Sequence, residues 1–392
     1  MLREECKKEL FGHILPFWSK LRDDEFGGFY GQMDNDLVLD KKGGKGVILN
    51  SRILWFYSNM LLTYPECGDD IRSNAQHAYE FLRGKCLDRE YGGVYWMINY
   101  DGTPADTMKH TYNQAFAIYA LSTYYLAVKD EAALKLAFQL FDTVEEKCTD
   151  DVAYMEAFDR EWNLIENDAL SENGLMADKT MNTVLHLIEG YTVLYKASGD
   201  ERVKDRLLFL LDLTEKKIFH PEDDRLLVFF DREMNVIGDI HSYGHDIEAS
   251  WLIDRACDVI GDEELRAKWA AYDLRIAMNI RRIAFDEKTG SLLNEREWEE
   301  INRKRIWWVQ AETVVGFVNA YEHGGGEEFL KDAQRVWEYI RDVQIDKREG
   351  SEWWAETDDE GKPIPGFTMV NEWKCPYHNG RMCMEIEARC NK

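Results

Sequence analysis

Six short polar or aromatic clusters recur along the 392-residue chain, centred on Arg52, Asn113, Asn182, His245, Trp308 and His378, at intervals of 61, 69, 63, 63 and 70 residues. They read LNSRILWFYS (49–58), KHTYNQAFAIYA (109–120), KTMNTVLHLIEGY (179–191), SYGHDIEASW (242–251), RIWWVQAETVVGF (305–317) and WKCPYHNGRMCME (373–385). In each, apolar residues follow the polar lead at three- and four-residue steps, which is the helical period, so the clusters are helix starts. A unit repeated six times buries its apolar face only against its neighbours, which requires a closed or stacked array. If the array closes, the helix starts surround one cavity, and Arg52, His245 and His378 meet there.

Six further helical stretches fall near 3–21, 70–86, 130–147, 201–218, 263–283 and 327–345. Gly68-Asp69, Gly199-Asp200, Gly261-Asp262 and Gly326-Glu327 mark the joins. Glycine there is expected to end one helix in the left-handed conformation, with an acidic residue capping the next. The helices therefore pair as hairpins. Residues 305–323 are apolar nearly all round and read as an inner helix; residues 327–345 carry a charged face and read as outer. Aromatic and glycine-flanked pieces at 27–31, 92–96, 226–230 and 351–354 are expected as small strands at one end. The architecture that satisfies these features is an all-α, (α/α)6 barrel of six helical hairpins with short β-hairpins at its mouth. No Pro-, Gly- or Ser-rich linker divides it, so residues 1–392 are expected to form a single domain.

The formal net charge of −26 argues against nucleic acid and anionic membranes, both of which attract cationic surfaces. The N-terminus MLREECKKEL lacks the apolar core of a signal peptide, and no run of about 18 apolar residues is present. A cytoplasmic, monomeric protein is expected. The eight cysteines form no CxxC pair and no metal-finger spacing, so reduced thiols are the default.

His245 and Glu248 stand three residues apart, on one face of a helix, where a carboxylate orients an imidazole and raises its basicity. His378 occupies the equivalent place two units on. The rival reading, a zinc pair of His241 and His245, lacks the H-E-x-x-H glutamate. Nucleotide-binding glycine motifs are absent too, so neither metal nor cofactor is expected. His186 lies one turn below its cluster and reads equally as a core histidine or a site residue. Trp307, Trp308 and Trp373 sit at cluster leads, where flat indoles can stack on sugars; Trp55 and Trp337 read as packing.

These segments, with DTMKHTYN, ALSENGLMADKTMN and DIHSYGHDIEASWL, resemble the N-acylglucosamine 2-epimerase superfamily over essentially the whole chain. The resemblance implies an (α/α)6 barrel and reversible epimerisation at carbon 2 of the reducing-end glucose of β-1,4-linked disaccharides, through a cis-enediolate. It places two acid/base histidines on His245 and His378, a supporting carboxylate on Glu248, an arginine on Arg52 and a third histidine on His186. Substrate contacts fall on Tyr112, Asn182, Trp308, Glu312 and Trp373. An aldose–ketose isomerase, an N-acylglucosamine 2-epimerase-like enzyme, a glycoside hydrolase and a sugar-binding protein remain as alternatives.

Overall fold

A computed structural model describes residues 2–166, 168–170 and 174–390. Among these residues the helices form two concentric rings. The outer ring starts in two pieces, α1 (Leu2–Glu9) and α2 (Leu15–Ser19), joined by a π-type turn over Leu10–Ile14. Inner and outer helices then alternate. Inner α3 (Val47–Thr63) is followed by outer α4 (Asp69–Phe81), inner α5 (Thr111–Val128) by α6 (Glu131–Lys147), and α7 (Met181–Ser198) by α8 (Glu201–Leu213). Next come α9 (Tyr243–Ile260) with α10 (Glu263–Ala284), α11 (Trp307–Glu322) with α12 (Glu327–Tyr339), and the last inner helix α13 (His378–Arg389). Each inner helix packs on the next and α13 packs on α3, which closes the ring.

The expected (α/α)6 barrel is present, with one difference in how it closes. Five pairs are hairpins, whereas the sixth joins the chain ends, with α13 on α1. There Arg3 grips Glu387 through two bonds of 2.9 and 2.6 Å.

Burial follows the polarity of the two helix types. On α11 every residue from Val309 to Ala320 is buried; on α12 only a stripe of Phe329, Asp332, Ala333, Val336, Trp337 and Tyr339 is. That stripe recurs at three- and four-residue steps and is the outer helix's inward face. Tryptophans 55 and 337 are core side chains, 2% and 1% exposed.

The joins hold at Gly199 (φ 64°) and Gly261 (φ 76°), and Asp200 and Asp262 accept the first free N–H groups of the next helices. They differ elsewhere. Gly68 has φ −65° and begins α4 rather than ending α3, and Gly326 (φ 103°) likewise begins α12. The end of α5 is turned by Lys129 at φ 60° with Asp130 capping α6, a join that no glycine marks.

The strands correct the sequence reading. Segments 27–31, 92–96 and 351–354 make only single bridges, Phe29 to Arg22, Val94 to Leu87 and Trp353 to Ile345, and 226–230 divides between two strands. Regular pairing also involves the residues just before the inner helices. Lys45–Gly46 pairs with Met97–Ile98, Lys109–His110 with Ala157–Phe158, and Lys179–Thr180 with Phe229–Phe230. Ile240–Ser242 pairs with Glu295–Glu297, and Arg305–Ile306 with Glu356–Thr357. Each pairing ties one helix start to the loop of the following repeat, so the sheet fragments aim the first turns of the inner helices into a common cavity. Among the described residues no helix is long and apolar enough to cross a membrane, and the eight cysteines are unpaired.

Candidate active site

The helix starts enclose a cavity whose wall includes Arg52, Tyr112, Asn182, His186, His245, Glu248, Trp307, Trp308, Trp373 and His378. Ten of the eleven residues singled out from sequence are thus brought together. The eleventh, Glu312, corrects its expected role: it is fully buried one layer behind His378, where it holds the histidine and cannot reach a sugar.

The His378 side is a charged lattice. His378 Nδ1 lies 2.7 Å from Glu312, which also accepts from Trp251 at 3.0 Å and from Arg381 at 2.7 Å. Arg381 donates further to Glu248 and, at 2.5 Å, to Glu189. Glu189 in turn takes the Tyr377 hydroxyl at 2.6 Å and faces His186 Nδ1 at 2.8 Å. One fully buried guanidinium therefore joins three carboxylates, two of which back histidines. Burial, with Glu248 close by, pushes Glu312 up to about 8 against the pull of Arg381. Burial and the neighbouring Arg381 and Arg52 hold His378 well below the ordinary histidine range. With His378 held down and Glu312 pushed up, the pair favours a neutral imidazole beside a neutral carboxylic acid.

The His245 side is neutral by contrast. His245 Nδ1 lies 2.7 Å from the Ser242 hydroxyl, and burial brings the ring down to about 4 despite Glu248. Glu248 bonds the buried Arg381 and acts on His245 through its nearby charge, which raises the ring. Glu248 Oε2 is left without a partner among the described residues and faces the cavity. Both histidine rings pack on the Trp308 indole, at 4.8 and 5.5 Å. Gly244 makes this possible: a Cβ there would lie 2.5 Å from the indole and push it off α9.

Arg52 is 3% exposed and donates to the Tyr112 hydroxyl at 2.7 Å and the Trp373 carbonyl at 3.3 Å, with the Cys375 thiol as a further side-chain partner. Its guanidinium lies over the Phe116 and Tyr377 rings at 4.2 and 4.8 Å, and it makes no ion pair among the described residues. A buried cation without a counter-ion costs several kcal/mol. Asn182 Oδ1 and Trp307 Nε1 are likewise unpartnered among the described residues and available to hydroxyl groups.

Glu248, Glu312 and His378 offer ligand atoms within 4.8 Å of one another, a spacing a metal ion could use. Arg381 already bonds both carboxylates and supplies the positive charge that such a donor set attracts. The His241–His245 pair does not assemble, since His241 is locked to Asp246 at 2.7 Å.

Sequence reasoning missed Ser242, Glu189 and Arg381. Each stands three residues from a histidine already singled out, 245, 186 and 378 respectively, so the helical step applied to Glu248 would have found all three. It also missed Glu295, on the strand paired with Ile240–Ser242, and Asn294, Phe367, Asn371 and Lys374, which reach the cavity from loops.

The chain matches the N-acylglucosamine 2-epimerase (GlcNAc 2-epimerase) family over residues 28–378. It is 58% identical to a cellobiose 2-epimerase of Ruminococcus albus, with 99% of each chain covered, and 46% identical to one of Eubacterium cellulosolvens, with 98% of each covered. A solved structure of cellobiose 2-epimerase from Bacillus thermoamylovorans superposes with TM-score 0.94 at 44% identity, covering 98% of both chains. A D-mannose isomerase with TM-score 0.80 but 18% identity shares the fold. The matched span takes in all six helix starts, and on these grounds the chain belongs to the N-acylglucosamine 2-epimerase family.

Proposed function

We infer that the enzyme epimerises carbon 2 of the reducing-end glucose of β-1,4-linked disaccharides, converting cellobiose to glucosyl-mannose and lactose to epilactose. The observation that carries this reading is the uncompensated Arg52 cation set beside two imidazoles whose Nε2 atoms have no partner among the described residues.

Once the pyranose ring opens, the proton at carbon 2 is acidic because it is α to the aldehyde. Its removal leaves a cis-enediolate, whose negative charge supplies the partner that Arg52 lacks. A fixed donor at a developing oxyanion contributes roughly 3–4 kcal/mol, while each positioned acid or base contributes about 10²–10⁴-fold. His245, neutral at working pH, accepts the proton from one face. The His378–Glu312 pair returns a proton to the other: Nε2–H is given up and Nδ1 takes the proton of Glu312. Protons balance, and the enzyme ends with a cationic His245 and an anionic Glu312. The sugar hydroxyls meet Asn182 and Glu248, and the indoles of Trp308 and Trp373 offer faces to the reacting and outer rings.

The test is product analysis after incubation with cellobiose, with and without EDTA. A mannose end group formed at equal rate in both samples is expected. A fructose end group would instead indicate an aldose–ketose isomerase, free glucose a hydrolase, and recovery of activity only with added zinc a metal enzyme.

A further inference from the structure

Ser242 occupies the N-cap of α9, where a serine hydroxyl ordinarily accepts one of the helix's own free N–H groups. It makes no such bond. The hydroxyl N-cap of the preceding inner helix behaves differently in the same fold: Thr180, at the start of α7, accepts the N–H of Thr183 at 3.0 Å. Ser242 directs its oxygen instead to His245 Nδ1 at 2.7 Å, while its backbone pairs with Glu295 across the mouth sheet. The side chain is 7% exposed at the residue level and lines the cavity. A cap has thus been diverted to a histidine ring, and the sheet fixes where that cap stands.

A neutral imidazole carries its proton on one nitrogen only, and the partner of the other nitrogen decides which. Building on the epimerase reading above, we propose that Ser242 is the positioning residue of His245: its oxygen accepts Nδ1–H and so keeps Nε2 as a lone pair facing carbon 2. When the carbon 2–hydrogen bond breaks, its electrons enter the enediolate and the proton forms a new bond to Nε2. Ser242 keeps its own hydrogen throughout and accepts from a now cationic ring. The groups facing that ring are Glu248 on its own helix, His186 on α7 and His378 on α13. None of them makes a hydrogen bond to Nδ1, so the serine hydroxyl is the hydrogen-bond partner of that nitrogen among the described residues. The two histidines are then complementary at rest, with His245 the proton acceptor and the His378–Glu312 pair the proton holder.

The test combines activity, stability and nitrogen NMR on the full chain. In Ser242→Ala, kcat for cellobiose is expected to fall roughly 10- to 100-fold, the usual effect of removing an orienting partner. KM should be unchanged. Ser242→Thr, which keeps the hydroxyl, should recover most of the loss. The melting temperature of Ser242→Ala should stay within about 1 °C of wild type, because no cap bond is removed. Imidazole ¹⁵N shifts should show His245 as the Nδ1–H tautomer in wild type and shifted toward Nε2–H in Ser242→Ala. An Nε2–H tautomer in wild type, full activity in Ser242→Ala, or a drop in melting temperature with no tautomer change would each overturn the proposal. The tautomer is read without substrate. Absence of epimerisation by the wild type would therefore strike the functional reading and leave the tautomer result to be judged separately.

Discussion

His245 and His378 pack against the same indole and face the same cavity, yet they are backed in opposite ways. Behind His378 stands a buried lattice of one guanidinium and three carboxylates; behind His245 stands a single neutral hydroxyl. Burial lowers both imidazoles, but only the first has a neighbour, Glu312, that burial pushes up to about 8 and that can store a proton. An enzyme that removes a proton from one face and returns one to the other needs such inequality. Two identically backed histidines would both be empty or both be loaded in the resting state.

The largest expected effects come from removing either member of the pair. His245→Ala and His378→Ala should each lower kcat by at least about 10³-fold with circular dichroism unchanged, the loss of one positioned acid or base. A variant that retains near-normal turnover would show that its histidine is not a proton carrier.

Next comes the proton store itself. Activity should follow a bell in pH. As pH falls through about 4, His245 takes up a proton and stops acting as a base; as pH rises through about 8, Glu312 loses the proton that His378 must return. Glu312→Gln removes a titrating carboxyl, so kcat should drop about 10²-fold and the alkaline limb near 8 should vanish while the acid limb stays. An alkaline limb that survives in Glu312→Gln would place the stored proton elsewhere.

A smaller change is expected at the mouth. Trp373 supports Arg52 through its carbonyl and offers its ring to the cavity. In Trp373→Ala the carbonyl remains and the face is lost. Losing about 1.4 kcal/mol of stacking would reduce kcat/KM for cellobiose about tenfold. The effect on free glucose should be weaker if the outer sugar uses that face. Steady-state kinetics on cellobiose, lactose and glucose measure the difference, and equal losses on all three would move the outer sugar to another wall.

The least drastic prediction lies away from the site, on the outer ring. Asp273 on α10 is 2% exposed, and neither carboxylate oxygen has a partner among the described residues. Burial, with Asp254 nearby, raises it well above the ordinary aspartate range. A carboxyl with a raised folded pKa favours the folded state most at low pH, and that contribution is lost as pH rises toward the folded value. Asp273→Asn should therefore raise the melting temperature by a few degrees at pH 8, on the scale of about 1 kcal/mol, and by less at pH 5. Activity should not change. A stability gain independent of pH would mean that the carboxyl does not titrate with folding.

The parts of this comparison were unequally legible in the sequence. The six inner helices were readable because each changes from a polar lead to apolar residues at helical steps, and the polar side chains near those starts, Arg52, Asn182 and His245 among them, line the cavity. The sheet at the mouth was not, since strands of two residues such as Lys109–His110 are too short to show alternation. The π-type turns over Leu82–Cys86, Thr214–Ile218 and Ile340–Gln344 were hidden inside continuous helical patterns, where nothing distinguishes the wider turn. Glu312 was misassigned because a glutamate one turn into an inner helix can point to the cavity or behind its neighbour. Only the position of Arg381, contributed by α13, decides between them. Ser242 was read as part of a helix start, and the diversion of its hydroxyl is a matter of ångströms that spacing does not carry.

The most direct test of unequal histidines is hydrogen exchange at carbon 2 in deuterated water, followed by NMR for each epimer separately. Wild type should place deuterium at carbon 2 in both the glucose- and mannose-ended disaccharides. His378→Ala should exchange the epimer whose proton faces His245, and His245→Ala the other, with neither variant interconverting them. Exchange of both epimers by one variant, or of the same epimer by both, would contradict the assignment of one histidine to each face.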